Sequence, residues 1–346
     1  MLQRSVRKAA VGIRVALALT VGVAAGAAHA TTTLVINELL PPADAFNLQI
    51  LHPWAKDVEQ ATDGRVRISL PNAPLAAPAQ LWGAVISGIV DGAYAFNSLL
   101  PRQLPLEQVA ALPFSSGTTE STSLALWNTY QKYFAKAGEY KDVKLLALFA
   151  LPPSEIFSMG KPIVNPGDLN GRRLWALPGV PQRIFARSKA GVVSTPAVQV
   201  SELVAGGTVD AVAGIGSYAA QSFKIIGYMK SETLIPGGLT TPCFSLIVNR
   251  AKWDSISPED RKTIEHLSGA AFARRLAIED KLDGEARAKA EKSGVTIEHA
   301  SPALMDELRS LAQPLFTQWL KAAADHHVDG PAALHYFQTQ AQAKAQ

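Results

Sequence analysis

The sequence predicts an α/β protein built from two lobes, and three observations lead to this fold class. Residues 172–212 read as strand, helix, strand, helix and strand, an alternation that is typical of parallel α/β units. The 346 residues exceed what a single hydrophobic core usually serves. Pro152-Pro153 follows an apolar strand and is a candidate for the first crossover between the lobes.

The first 30 residues have the composition of a secretory signal peptide. Four basic residues precede an apolar run at residues 15–28, which ends in the small-x-small sequence Ala28-His29-Ala30. The run is too short and too rich in Ala and Gly for a membrane span, which needs about 20 apolar residues. We therefore expect cleavage after Ala30 and a soluble chain in the periplasm.

Composition restricts the function of the remaining chain. Of 33 basic residues four lie in the leader, so 29 basic residues face 29 acidic ones after cleavage. The overall charge of +4 therefore does not indicate a nucleic-acid partner. Cys243 is the single cysteine, which rules out an internal disulfide.

The predicted first lobe comprises residues 31–152 and 240–278. Breakers at Pro41-Pro42, Asp63-Gly64 and Gly138 separate its elements. Strands are predicted at residues 33–37, 66–70, 93–96, 143–151 and 241–249, and helices at 43–62, 80–87 and 121–137.

The predicted second lobe comprises residues 153–239 and 279–346. Strands are expected at residues 172–176, 192–194, 208–212 and 295–298, and helices at 180–190, 199–205 and 302–324. Between the lobes, Ser257-Pro258-Glu259 begins a helix that continues to about Lys292, with Gly284 as a possible bend. A helix of that length is on the order of 50 Å long, more than one small lobe.

Catalytic and cofactor motifs are weak. Gly214-Ile215-Gly216-Ser217-Tyr218-Ala219 fits a dinucleotide fingerprint, but it does not open the first βαβ unit, so a tight turn is the better interpretation. The adjacent His326 and His327 would point to different faces of a helix and favour no metal. We expect neither cofactor nor metal, and we expect a protein that is not an enzyme.

Several motifs together resemble the solute-binding proteins of tripartite ATP-independent periplasmic (TRAP) transporters, of the dicarboxylate-binding DctP type. The resemblance implies a periplasmic-binding-protein-like fold with hinge crossovers and a long domain-bridging helix. It also implies a monomeric receptor that binds a small organic solute in the cleft between the lobes and delivers it to one small and one large membrane subunit. The motifs are Lys161-Pro162-Ile163, Asp168-Leu169-Asn170-Gly171, Gly207-Thr208-Val209-Asp210, Gly88-Ile89-Val90-Asp91-Gly92, Leu112-Pro113-Phe114 and residues 248–254.

The candidate binding residues follow from strand ends, because ligands of open α/β sheets bind at the carboxyl ends of the strands. The first lobe contributes Glu38, Phe96 and Asn97. The second lobe contributes Glu155, Arg173, Trp175 and Gly214.

Trp175 departs from the resembled family, whose members usually place an Arg there to hold a ligand carboxylate. Glu155 also stands where many members have an Arg. Arg173 lies on the same face of its strand as Trp175 and is the expected substitute, although it could instead face solvent. We therefore expect simple C4-dicarboxylates to bind poorly, and neutral, cationic or aromatic solutes to bind better.

Two other functional classes stay open at this point. A two-domain periplasmic enzyme would turn over its ligand, whereas a receptor would bind it unchanged. A receptor for a sensor kinase would lack neighbouring genes for the two membrane subunits.

Overall fold

The computed structural model describes residues 31–343; the predicted signal peptide lies outside the described residues. The strands are β1 Thr32–Asn37, β2 Val66–Ser69, β3 Gly92–Phe96, β4 Val143–Ala150, β5 Glu155–Ser158, β6 Arg173–Ala176, β7 Gly191–Val193, β8 Ala211–Ile215, β9 Ser231–Leu234, β10 Cys243–Asn249 and β11 Thr296–His299. The α-helices are α1 His52–Ala61, α2 Leu81–Ile86, α3 Thr119–Thr129, α4 Val180–Phe185, α5 Val200–Ala205, α6 Ser217–Ser222, α7 Arg250–Asp254, α8 Pro258–Leu267, α9 Gly269–Arg274, α10 Ala277–Lys292, α11 Pro302–Asp325 and α12 Gly330–Ala341.

The first sheet has five strands in the order β2-β1-β3-β10-β4. Leu34 and Ile36 alternate along β1 and are fully buried, as expected for a strand with one face on the core. β1 pairs in parallel with β2 and β3, whereas β10 runs antiparallel to both β3 and β4. The sheet therefore presents the ends of β1, β3 and β4 and the start of β10 along one edge.

The second sheet has six strands in the order β11-β9-β5-β8-β6-β7. β6 pairs in parallel with β7 and β8, as the alternating pattern of residues 172–212 predicts. β5 runs antiparallel to β8 and β9, and the sequence analysis missed both β5 and β9. These two strands are short and adjoin the segments in which the chain passes between the sheets.

Three segments of the described chain pass between the sheets: two short crossings, and a longer helical stretch from β10 to β11. The chain leaves the first sheet after β4 at Ala150 and enters the second at Glu155, so Pro152-Pro153 lies in the first crossing. It returns between β9 and β10. Ser154 ties the two crossings together, because its N–H and its hydroxyl both donate to the Thr240 carbonyl at 2.9 Å.

The prediction of one long helix from Ser257 to Lys292 is wrong, since the structure divides this region into α8, α9 and α10. The predicted start is present, with the Ser257 hydroxyl accepting from the Asp260 N–H at 3.1 Å. Gly269 begins α9 at a φ of 54°, and a Cβ there would lie 2.5 Å from the Trp127 ring. Close packing against α3 thus interrupts the helix at this point, and α10 continues through Gly284 without interruption.

The sequence predicts no helix after residue 324, whereas the structure has α12 there. α12 packs against α3, which belongs to the predicted first lobe, and the Ser121 hydroxyl donates to the Ala341 carbonyl at 2.6 Å. In α11 the Trp319 indole donates to the Leu106 carbonyl at 3.0 Å. Parts of α11 and α12, which the sequence analysis places in the second lobe, therefore contact elements of the predicted first lobe.

Candidate functional site

A cavity lies where the strand ends of the two sheets face each other. Its volume is about 100 Å³, counted as the space that the centre of a water molecule can reach. One buried water needs roughly 10–15 Å³ counted in the same way. The cavity therefore has room for a small organic solute. Its lining residues are Leu39, Leu40, Asp44, Phe96, Leu151, Pro152, Leu177, Ala197, Ile215, Gly216, Tyr218, Ala219, Ser222, Phe223, Pro242, Phe244, Glu279 and Asp283.

One wall of the cavity is aromatic. Phe96 at the end of β3 and Phe244 on β10 are direct partners in the antiparallel ladder, with ring centroids 5.2 Å apart. Phe149 stacks behind Phe244 at 5.3 Å with an interplanar angle of 15°. Leu177, directly after β6, and Phe223, directly after α6, add apolar surface. A planar ring is well suited to such a wall, because aromatic pairs add about 0.5–1.5 kcal/mol beyond the burial of area.

A polar side of the cavity joins the two lobes. The Ser222 hydroxyl on α6 donates to Asp44 Oδ2 at 2.7 Å, and the Ala45 N–H donates to the Tyr218 hydroxyl oxygen at 2.9 Å. Burial raises the pKa of Asp44, while the Ser222 hydrogen bond opposes that rise. These contacts hold the loop after β1 against both ends of α6.

Among the described lining carboxyl groups, Glu279 on α10 is the one with an oxygen that lacks a hydrogen-bond partner. Its side chain is 1% exposed, and its Oε1 has no hydrogen-bond partner among the described residues. Burial raises the pKa of Glu279 to about 8, and the nearby carboxyls of Asp44, Asp283 and Asp280 act in the same direction. At neutral pH this group is therefore a neutral carboxylic acid that can donate a hydrogen bond.

Asp283, one turn along α10, is held by several donors. Its Oδ1 accepts from the Tyr218 N–H at 2.9 Å, and its Oδ2 accepts from Arg287 at 2.9 Å. Arg287 also donates to Glu232 Oε1 at 2.9 Å, and the Ser217 hydroxyl donates to the other oxygen of Glu232 at 2.7 Å. The guanidinium of Arg287 thus pairs with two carboxyl groups and does not belong to the lining.

Of the predicted binding residues, Phe96 lines the cavity and Trp175 does not. The Trp175 side chain is fully buried, and its indole N–H donates to the Thr195 hydroxyl at 3.1 Å. Leu177, two residues further along the chain, occupies the lining instead. Gly214 is also behind the lining; it adopts a φ of 102°, and a Cβ there would lie 2.7 Å from Leu177 Cβ.

Arg173 is not brought to the cavity. It lies at the amino end of β6, half-exposed, with Nε 3.2 Å from Asp210 Oδ2 and Nη1 2.9 Å from the Gly207 carbonyl. Arg173 is the first residue of β6, whereas the cavity lies beyond the last residue of that strand. Its position therefore does not support the expectation that Arg173 replaces the family's arginine.

Three other predicted residues are buried beside the cavity but outside its lining. Glu38 Oε1 lies 2.7 Å from His52 Nε2. Asn97 Oδ1 accepts from the Ser245 hydroxyl at 2.7 Å. Glu155 Oε2 accepts from the Ile235 N–H at 2.6 Å, and burial raises the pKa of this carboxyl.

The sequence analysis missed the polar residues that do line the cavity: Asp44, Tyr218, Ser222, Glu279 and Asp283. Tyr218 and Ser222 share one face of a helix that begins directly after a glycine-rich strand end. This pattern could have predicted that both residues face the cavity. Nothing local in the sequence of α10 distinguishes Glu279 from the other acids on that helix.

The described lining contains no Lys, Arg or His. Within residues 31–343 no group of three His, Cys, Asp or Glu side chains is placed to hold a metal ion. The site can therefore offer a bound solute an aromatic wall, hydroxyl groups and carboxyl groups.

Comparison with known proteins identifies similar chains over nearly the whole length. A family model described as bacterial extracellular solute-binding protein, family 7 (DctP), matches residues 37–322. The outer membrane transporter protein TsaT of Comamonas testosteroni is 40% identical over 311 residues, which cover 90% of this chain and 92% of that protein.

Solved structures give the same result. A TRAP periplasmic solute-binding protein from Bordetella bronchiseptica with bound (R)- and (S)-mandelate has a TM-score of 0.84 and 32% identity, over 90% of this chain and 98% of that chain. A marine metagenome TRAP solute-binding protein specific for aromatic acid ligands, in complex with 3-hydroxybenzoate, has a TM-score of 0.80 and 27% identity, over 90% and 98% of the two chains.

Proposed function

The chain belongs to the DctP family of TRAP solute-binding proteins, and we propose that the solute it binds is a small aromatic acid. The observation that carries the proposal is the cavity between the strand ends, with Phe96 and Phe244 forming one wall. The similar proteins with bound mandelate and 3-hydroxybenzoate support this choice of ligand class. The aromatic ring would lie on the phenylalanine wall and the acid group would point to the polar side.

We also propose that the mature chain begins at Thr31, acts in the periplasm as a monomer, and releases its solute unchanged to one small and one large membrane subunit. The family consists of periplasmic receptors. No helix within residues 31–343 is both long and apolar enough to span a bilayer. N-terminal sequencing of protein from the periplasmic fraction tests the cleavage site, and an intact Met1 in the membrane fraction would contradict it.

Calorimetry with purified mature protein tests the ligand class. We expect micromolar or tighter binding of at least one aromatic monocarboxylate among mandelate, 3-hydroxybenzoate and benzoate. Succinate and malate should bind at least about 100-fold more weakly, a difference of about 2.7 kcal/mol. The reason is that a second carboxylate would lie among lining carboxyl groups with no cation beside it.

Mass spectrometry of the solute that co-purifies with the protein gives an independent check. An aromatic acid is the expected finding. Tight binding of succinate or malate, without binding of any aromatic acid, would refute the proposed ligand class.

A further inference from the structure

The lining has acidic groups but no base, although the proposed ligand is itself an acid. Asp44, Glu279 and Asp283 all contribute to the polar side. Asp44 and Asp283 accept hydrogen bonds from identified protein donors, whereas Glu279 Oε1 has no partner among the described residues. The unpartnered atom is on a side chain that is 1% exposed and lines the cavity. A buried polar atom without a partner costs about 1–3 kcal/mol, and a ligand that supplies the partner removes that cost.

We propose, on the basis of the function proposed above, that Glu279 binds the carboxylate of the solute as a neutral acid whose hydroxyl donates a hydrogen bond. The bound pair then contains one proton and one negative charge. At neutral pH the proton stays on Glu279 before and after binding, no covalent bond forms, and the solute enters and leaves as its carboxylate.

This assignment explains how a chain with Trp175 in place of the family's arginine can hold an acid. Hydrogen bonds of the O–H···O⁻ type are short and roughly twice as strong as those between neutral groups. A carboxyl on an aromatic acid is ionised at neutral pH, whereas Glu279 keeps its proton because burial raises its pKa to about 8.

The groups that face Glu279 reinforce this protonation state. They are Asp44 from the loop after β1, Tyr218 on α6, and Asp280 and Asp283 on its own helix. None of them is a cation that could stabilise an ionised Glu279, and Arg287 is engaged by Asp283 and Glu232. The protonated Glu279 can donate one hydrogen bond to one ligand carboxylate. A second carboxylate on the ligand would find no such donor on Glu279.

Binding should therefore depend on pH. If only the neutral form of Glu279 binds the carboxylate, the apparent Kd is inversely proportional to the neutral fraction of Glu279, so it rises about tenfold per pH unit well above a pKa of about 8. Between about pH 6.5 and about pH 9.5 the affinity for an aromatic monocarboxylate should fall about 30-fold. Mandelate and benzoate have no group that titrates in this range.

The test is calorimetry of (R)-mandelate and benzoate against wild-type protein, Glu279→Gln and the matched control Glu285→Gln, at both pH values. Gln keeps a neutral donor, so Glu279→Gln should bind at about pH 6.5 and show less than about a threefold change with pH. Glu285 is exposed on the same helix, 3.8 Å from Lys281, and its variant should keep the full pH dependence.

A second measurement needs no variant. Near pH 9, wild-type protein should take up about 0.9 proton per ligand bound, obtained from binding enthalpies in two buffers with different ionisation enthalpies. Binding without proton uptake and with equal affinity at both pH values would overturn the role of Glu279 and leave the proposed function intact. If no aromatic acid binds at about pH 6.5, both proposals fail together.

Discussion

Phe96 and Trp175 are aromatic residues at the ends of strands in facing sheets, yet only one of them reaches the cavity. Phe96 is the last residue of β3 and lines the cavity beside Phe244. Trp175 is the third of the four residues of β6, and its ring is enclosed in the core that also contains Val200, Val204 and Val212. A strand end predicted from the sequence thus identifies the correct edge of a sheet, but it does not identify the lining residue. Trp175 lies in the core, whereas Leu177, two residues later, lines the cavity.

The largest effect should come from Trp175→Ala. The side chain is fully buried, so its removal leaves a cavity and should reduce the free energy of unfolding by about 3–5 kcal/mol. Urea unfolding followed by circular dichroism measures this. Tyr228→Ala is the control, since this ring is 45% exposed and should matter little. A Trp175 variant of normal stability but without ligand affinity would place the indole in the site after all.

Phe96→Ala should affect ligand affinity, which Trp175→Ala tests only as a side effect of lost stability. Losing this ring removes one partner of the aromatic wall and should weaken binding of an aromatic acid by about 1–3 kcal/mol. Calorimetry at neutral pH measures the change. Phe96→Leu, which keeps apolar volume without the ring, should retain part of the affinity. Equal affinity in wild type and Phe96→Ala would contradict the assignment of this wall.

Asn97, directly after Phe96, is outside the lining, and elsewhere in the first lobe the partly buried Glu139 should make stability depend on pH. Glu139 Oε1 accepts from the Leu106 N–H at 2.9 Å, and burial raises the pKa of Glu139 from 4.5 to about 7. Since the folded state binds the proton more tightly, Glu139 makes stability fall as pH rises from 4.5 to about 7. The slope from one group is at most about 1.4 kcal/mol per pH unit.

Glu139→Gln should flatten this part of the profile, because Gln keeps the acceptor for Leu106 and cannot ionise. Urea midpoints measured across this pH range test the expectation. Glu298→Gln, at a partly exposed position of β11, is the control. The same descent in both variants would show that Glu139 does not hold its proton in the folded protein.

The smallest effect is expected for Thr195→Val, which removes the acceptor of the Trp175 indole N–H. A net loss of about 0.5–1.5 kcal/mol of stability is expected, with the affinity for an aromatic acid unchanged. Thermal unfolding and calorimetry on the same preparation measure both quantities. A large loss of affinity would mean that the orientation of the Trp175 indole determines the positions of the residues that line the cavity.

The sequence predicted the parts of the fold that depend on local signals. The strand and helix alternation of residues 172–212, the cap at Ser257 and the crossover at Pro152-Pro153 each rest on neighbouring residues, and each has its counterpart in the structure. The break at Gly269 and the docking of α12 on α3 depend on contacts with Trp127 and Ser121, which are far away in sequence.

By itself the sequence therefore determined the α/β class, the family and the edge of each sheet at which the cavity forms, because strand periodicity, breakers and motifs are local properties. Only the tertiary structure decided which side chains line the cavity. Phe96 faces it while Trp175 lies one layer behind, and Glu279 reaches it from a helix about 240 residues after β1, since side chains distant in sequence meet only when the sheets and helices pack. The same packing removes Glu279 from water and raises its pKa, a change that follows from burial and not from any neighbouring residue in the sequence.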